Sequence, residues 1–182
     1  MEIEACIKGR RSIRKFTDKP IDKDELLAIA ELCRWVPSWK NTQSVNYHIV
    51  MNKALKEEIA KNCVLNFTFN TQTIERADAL VVLTYDKGKS GFNPDGTVTT
   101  PEGATWGMFD AGIAAQTFCL AAYEKGIGSV ILGIIDAEKI SAACKLPKTK
   151  TVAALIAIGY PLHNVKEGPA RKSAEEIMDI IE

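Results

Sequence analysis

The run Ala79-Leu80-Val81-Val82-Leu83-Thr84-Tyr85 is apolar almost without interruption, and that continuity is the tightest constraint on the fold. A half-exposed strand alternates apolar and polar side chains, whereas an unbroken run of this length reads as a fully buried strand. Val152 to Ile158 reads the same way, and Val45 to Met51 and Ser129 to Ile135 supply two further strands. Helical patterns lie between them. One covers about residues 2 to 9, and a second opens at Asp22 and Glu25, whose spacing matches a capping box, and runs to Arg34 or Trp35 before Pro37. Others span Ala54 to Asn62, Trp106 to Lys125, and a stretch capped by Asp136 that ends near Lys145; a last short helix is expected after Lys172. No Gly-x-Gly-x-x-Gly joins a strand to a helix. Gly126-Ile127-Gly128 instead follows a helix, as a terminating turn does, so a Rossmann nucleotide domain is not indicated.

A chain of 182 residues can form one domain with a substantial core, and residues 1–182 are read as a single domain. Its 23 basic and 23 acidic residues balance, which argues against nucleic acid or an anionic membrane surface as the main partner. No apolar run reaches the length of a membrane span, and Met1-Glu2-Ile3-Glu4 lacks the character of a signal peptide, so a cytoplasmic location is expected. The five cysteines, Cys6, Cys33, Cys63, Cys119 and Cys144, are widely spaced with no Cys-x-x-Cys, and only His48 and His163 are at hand to join them on a metal. No metal site is signalled, and all five thiols are read as structural.

Against this neutral background stands Arg10-Arg11-Ser12-Ile13-Arg14-Lys15-Phe16. Guanidinium forks and a hydroxyl in one short segment match the donor needs of a phosphate. The same residues equally describe a solvated basic turn, with Arg14 paired to an acid such as Asp18. Residues Asp86 to Thr105 are rich in Gly, Pro, Asp and Thr and read as a long loop or loose hairpin suited to a lid. The alanines of the following helix, among them Ala111, Ala114, Ala115, Ala121 and Ala122, permit close approach of another helix, as at the centre of a dimer.

Four segments, in this order, resemble the nitroreductase family of FMN-dependent NAD(P)H oxidoreductases: Arg10 to Phe16; Pro37-Ser38-Trp39-Lys40-Asn41-Thr42-Gln43; Gly126 to Gly133; and Ile158-Gly159-Tyr160-Pro161 followed by Arg171-Lys172. The resemblance covers nearly the whole chain. It implies an α+β fold, with a mixed central β-sheet flanked by helices, in a homodimer that binds FMN at the subunit interface. Carried onto this sequence, it gives Arg10 and Ser12, with Arg11, to the phosphate and ribityl chain, and Arg14 to the pyrimidine edge of the flavin. Arg171 and Lys172 complete the phosphate grip.

By the same resemblance Pro37, Ser38, Trp39, Asn41 and Gln43 reach the flavin from the partner subunit, although Trp39 and Lys40 depart from the small residues common in the family there. Ile131, Leu132 and Gly133 correspond to the segment that passes flavin N5. Read without the family, these two stretches are an ordinary polar loop and a buried strand. Trp106 and Phe109 suit either a pocket over the flavin face or a simple helix anchor. The implied activity is ping-pong hydride transfer from NADH or NADPH, through flavin N5, to a nitroaromatic, a quinone or a similar electron-poor substrate, with no side chain required as acid, base or nucleophile. A non-catalytic FMN carrier or redox sensor is the alternative.

Overall fold

The structure is a computed structural model that describes residues 1–163 and 167–182. Helices α1 (Ile3–Gly9) and α2 (Lys23–Cys33) precede strand β1 (Val45–Val50). Then come α3 (Lys53–Asn62), α4 (Thr68–Arg76), β2 (Ala79–Asp86), α5 (Thr105–Glu124), β3 (Gly128–Leu132), α6 (Ala137–Ala143) and β4 (Lys150–Gly159). The strands form one sheet in the order β1-β2-β4-β3. The α+β class is as expected. All three strand pairs are antiparallel, and the parallel component of the mixed sheet is a single isolated bridge, Ser12 to Ser129, among the described residues.

β2 is central because its sequence has no polar face. Ala79 to Leu83 are each at most 1% exposed. Leu80 and Val82 point into a cluster with Ile59, Ile74, Ile140 and Leu155, roofed by α3, α4 and α6. Val81 and Leu83 point the other way, toward Ile29, Phe118 and Ile156 under α2 and α5. Burying one such side chain is worth about 1.5–3 kcal/mol, so both faces hold the strand. Its one buried hydroxyl, Thr84, is answered by His48 Nε2 at 2.9 Å.

α2 starts as its sequence dictates: Asp22 accepts from the Asp24 amide, Glu25 accepts from the Asp22 amide, and the capping box is complete. Asp136 likewise caps α6 through the Lys139 amide. Three expectations are corrected. β3 ends at Leu132, not Ile135, because the chain bends away at Gly133. α4 was not anticipated from sequence. No helix follows Lys172; Ser173 and Glu176 satisfy each other's backbone amides, yet only a turn forms and every residue from 167 to 182 is exposed. The 86–104 stretch is a small hairpin, with a Phe92–Val98 bridge and a turn at Asn93–Gly96. It is pinched at its base, where a Cβ on Gly91 would lie 2.0 Å from the Gly103 carbonyl oxygen.

The cysteines form no disulfide; Cys6, Cys33, Cys63 and Cys119 are buried and Cys144 half-buried. Among the described residues no cluster of His, Cys, Asp or Glu has metal-binding geometry, and no helix is long and apolar enough to cross a membrane.

Candidate functional site

The basic segment near the start of the chain lies alongside the edge strand β3. The Ile13 amide donates to the Ser129 carbonyl at 2.9 Å, and Ser12 bridges Ser129 in parallel. Alternation along an extended chain then sends Ile13 to one face and Ser12 and Arg14 to the other. Ile13 enters the core with Val130 and Leu132. Two glycines make room for this attachment. A Cβ on Gly128 would lie 2.9 Å from the Ile13 side chain, and one on Gly159 would lie 2.7 Å from the Phe16 ring. Gly128 and Gly159 are themselves paired across β3 and β4, so three of the four sequence motifs interlock at one spot.

The opposite face is open. Ser12 and Arg14 are exposed, and Arg10 is half-buried beside α5, where it opposes the upward push of burial on the Cys119 thiol. Ile131 is 45% exposed although it sits in the middle of a strand, and a side chain on Gly133 would meet nothing within 4 Å. Leu132 faces the core. Ser129 is buried, its hydroxyl beside the Cys119 thiol. Arg14 reaches only the Ser12 carbonyl at 3.4 Å, and among the described residues neither Arg10 nor Arg14 forms an ion pair. The surface pairing of Arg14 with Asp18 is therefore not made. Two cations without ion pairs among the described residues, the Ser12 hydroxyl and an apolar shelf share one face of the sheet edge.

Arg11 does not join them. Its guanidinium donates to the Lys8 and Arg10 carbonyls at 2.5 and 2.9 Å, closing the end of α1, and its Nε lies against Gly168. Arg171 turns to the Pro169 and Ala170 carbonyls, and Lys172 is exposed.

The second motif forms a tight loop at the other edge of the sheet, ahead of β1. Ser38 Oγ accepts from the Gln43 amide at 2.9 Å and the Ser38 carbonyl accepts from the Asn41 amide. Lys40, Asn41 and Gln43 all take left-handed backbone angles, with φ of 44°, 55° and 49°. Such angles in non-glycine residues cluster where surrounding structure enforces them. Pro37, Asn41 and Gln43 are exposed, while the Trp39 ring packs on Trp106 at 4.6 Å and Trp106 on Phe109 at 5.3 Å. Trp106 Nε1 donates to Thr100, fastening the hairpin, and Phe109 stays 59% exposed.

Three inter-strand spacings, about 14 Å, separate the edges that carry the two motifs. The order β1-β2-β4-β3 puts β1 and β3 at those opposite edges.

The sequence model of the nitroreductase family matches residues 7–160. The chain belongs to the nitroreductase family. A putative NADH dehydrogenase/NAD(P)H nitroreductase of Archaeoglobus fulgidus is 28% identical over 87% of both chains. Among solved structures, a nitroreductase family protein of Clostridium novyi is 30% identical, with a TM-score of 0.76, covering 88% of this chain and 86% of that one. The NADPH:FMN oxidoreductase of Vibrio harveyi, solved with NAD+, is 27% identical with a TM-score of 0.83, covering 98% of this chain and 76% of that one.

Within this nitroreductase-family site, sequence reasoning missed Ser129 and Asp110. Ser129 was read only as the start of a strand. Asp110 is 2% exposed on α5 and accepts from the Trp39 amide and from Ser90 Oγ. An acid on an alanine-rich helix reads as solvent-facing, and nothing in its spacing marks it as buried.

Proposed function

We propose that this protein is an FMN-dependent NAD(P)H oxidoreductase that acts as a homodimer on nitroaromatics, quinones or similarly flat, electron-poor acceptors in the cytoplasm. The observation that carries the reading is the face shared by Arg10, Ser12, Arg14 and Ile131. Its donors fit FMN. A phosphate supplies the acceptors that Arg10, with no ion pair among the described residues, and the exposed Ser12 hydroxyl lack, with charge-assisted hydrogen bonds about twice as strong as neutral ones. A planar ring suits the bare shelf at Ile131 and Gly133, where no side chain competes for space.

When bound, FMN would supply two-electron chemistry between NADH or NADPH and the acceptor, in a ping-pong cycle. The chain's own groups do the rest. Arg10 and Ser12 hold the phosphate end. Arg14 would stabilise the negative charge that grows on the flavin on reduction. The backbone at Ile131 to Gly133 presents amides to the ring edge without steric interference.

The layout of the sheet supports the dimer. Pro37, Ser38, Trp39, Asn41 and Gln43 lie at the far sheet edge from Arg10 and Arg14, with strands β2 and β4 between them. A second copy, supplying the loop across an interface, brings both sets to one cofactor. Exposed apolar residues fit such an interface, among them Ile3 and Ile7 of α1, Met108 and Phe109 of α5, and Ile180 and Ile181 near the end of the chain.

The test is spectroscopic. Purified protein given excess FMN should retain it through gel filtration, bleach on anaerobic addition of NADH or NADPH, and recover its colour with a nitroaromatic or quinone. Failure to retain any flavin removes the reading. Retained flavin that neither nicotinamide bleaches supports a carrier instead.

A further inference from the structure

Asp110 is the one fully buried acid among the described residues, and no cation stands within ion-pairing distance of it. Its oxygens are served by neutral donors. The Trp39 amide approaches both, at 3.2 and 3.1 Å, and Ser90 Oγ approaches one at 2.6 Å. Ser90 Oγ in turn lies 3.0 Å from Thr42 Oγ1 and 3.1 Å from Ser44 Oγ. A carboxylate only accepts, so Ser90 must donate to it, and Thr42 and Ser44 must donate to Ser90. That orientation fills the valence of Ser90: one proton given, two lone pairs used.

We propose that Asp110 is a positioning residue, whose carboxylate sets the loop from Pro37 to Gln43 for the flavin of the second subunit. The proposal rests on the dimeric flavin reading above. The loop holds three left-handed residues and is stapled internally by Ser38, but an internal staple fixes its shape and not its placement. Placement comes from Asp110, which ties Trp39 at the loop's start to α5. Through Ser90 it also ties Thr42 and Ser44 at the loop's end, and the base of the 86–104 hairpin. One buried group thereby registers the loop and the hairpin on the helix that spans the face of the sheet. Misplacement by an ångström is enough to degrade a positioned site.

Asp110→Asn keeps the shape and leaves one oxygen to accept from Ser90 and the Trp39 amide, but it removes the negative charge, so the charge-assisted hydrogen bonds become neutral ones and one of the two acceptor positions is lost. We expect FMN to dissociate about tenfold more readily, the equivalent of one lost charge-assisted hydrogen bond, while the flavin-free protein melts within a few degrees of wild type. A lowered melting temperature with unchanged FMN affinity and unchanged flavin reduction rate overturns the proposal, because that is the signature of a purely structural acid.

Mixed dimers give the sharper readout. When Arg10→Ala chains are paired with Asp110→Asn chains, action across the interface leaves one of the two sites intact and restores about half of wild-type activity. Action within the same chain leaves both sites damaged, and no recovery overturns the proposal. If Asp110→Asn does not fold, Ser90→Ala decides: wild-type FMN affinity in that variant overturns it, and weakened affinity supports it. Wild-type protein that takes up no flavin at all would instead mark failure of the underlying functional reading.

Discussion

Arg10 and Arg11 are neighbours in sequence with opposite surroundings. Arg10 stands beside α5 with no acid partner among the described residues, whereas Arg11 Nη1 donates to the Lys8 and Arg10 carbonyls. Arg10→Ala should weaken FMN binding by about 1.5–3 kcal/mol, or roughly 10- to 150-fold, with little change in melting temperature. Arg11→Ala should do the reverse, lowering stability by about 1 kcal/mol through the lost closure of α1 while FMN affinity stays near wild type. Flavin fluorescence titration alongside thermal melting separates the two. For Arg14 the quantity to measure is the potential. A cation over the pyrimidine edge, screened by solvent, stabilises the reduced ring by about 1–2 kcal/mol. Arg14→Ala should therefore lower the two-electron potential by roughly 20–40 mV, since about 30 mV corresponds to 1.4 kcal/mol. An unchanged potential rejects that role. The sequence announced the cations but not their division of labour, because one residue of offset along an extended chain reverses the face, and only the pairing with Ser129 fixes the offset.

At the level of elements, the attachment of the first motif to the sheet depends on two absent side chains. Gly128→Ala and Gly159→Ala should each destabilise the fold by about 1–3 kcal/mol by overpacking against Ile13 and Phe16. Ile13→Ala removes the two Cγ contacts but keeps the Cβ at 2.9 Å, so it should offset part of the Gly128→Ala penalty in a double-mutant cycle, and simple additivity of the two would contradict the contact. A pH effect belongs to the β1–β2 pair. Burial, with Lys150 as a lesser cause, holds His48 below its ordinary value of 6.5. The fold then favours the neutral ring, so the contribution is intact above about pH 6.5 and is lost as pH falls through the lower value in the folded protein. Melting temperature should drop as pH falls below about 6.5, and His48→Gln should flatten that slope.

The elements that were legible carried their own signals: the capping box of α2, the Asp136 cap of α6, the continuous apolar run of β2. α4 was not, since Phe67 at its start offers no capping side chain and Thr68 to Arg76 is mixed in propensity; packing against α3 decides it. The reverse error occurred at Ser173 and Glu176, where a capping pair forms but nothing packs on the turn behind it.

For the whole molecule the decisive quantity is the distance between sheet edges, which no local pattern in the sequence encodes. It can be tested through a position that is silent within one chain. Gly112 lies exposed on α5, and a Cβ there would meet nothing within 4 Å. Gly112→Arg should be tolerated by the isolated fold and even favoured by up to about 1 kcal/mol in helix propensity. If α5 forms the centre of the dimer, the same side chain blocks close approach of the second helix. Sedimentation should then report a monomer with wild-type circular dichroism. That monomer should also lose FMN, because the loop at one sheet edge no longer reaches the cations at the other edge of a second chain. A Gly112→Arg protein that is monomeric yet holds FMN as tightly as wild type would show that one chain suffices for the site. One that remains dimeric would move the interface off α5 and leave the exposed apolar residues of α1 and the 177–181 segment as the surface to vary next.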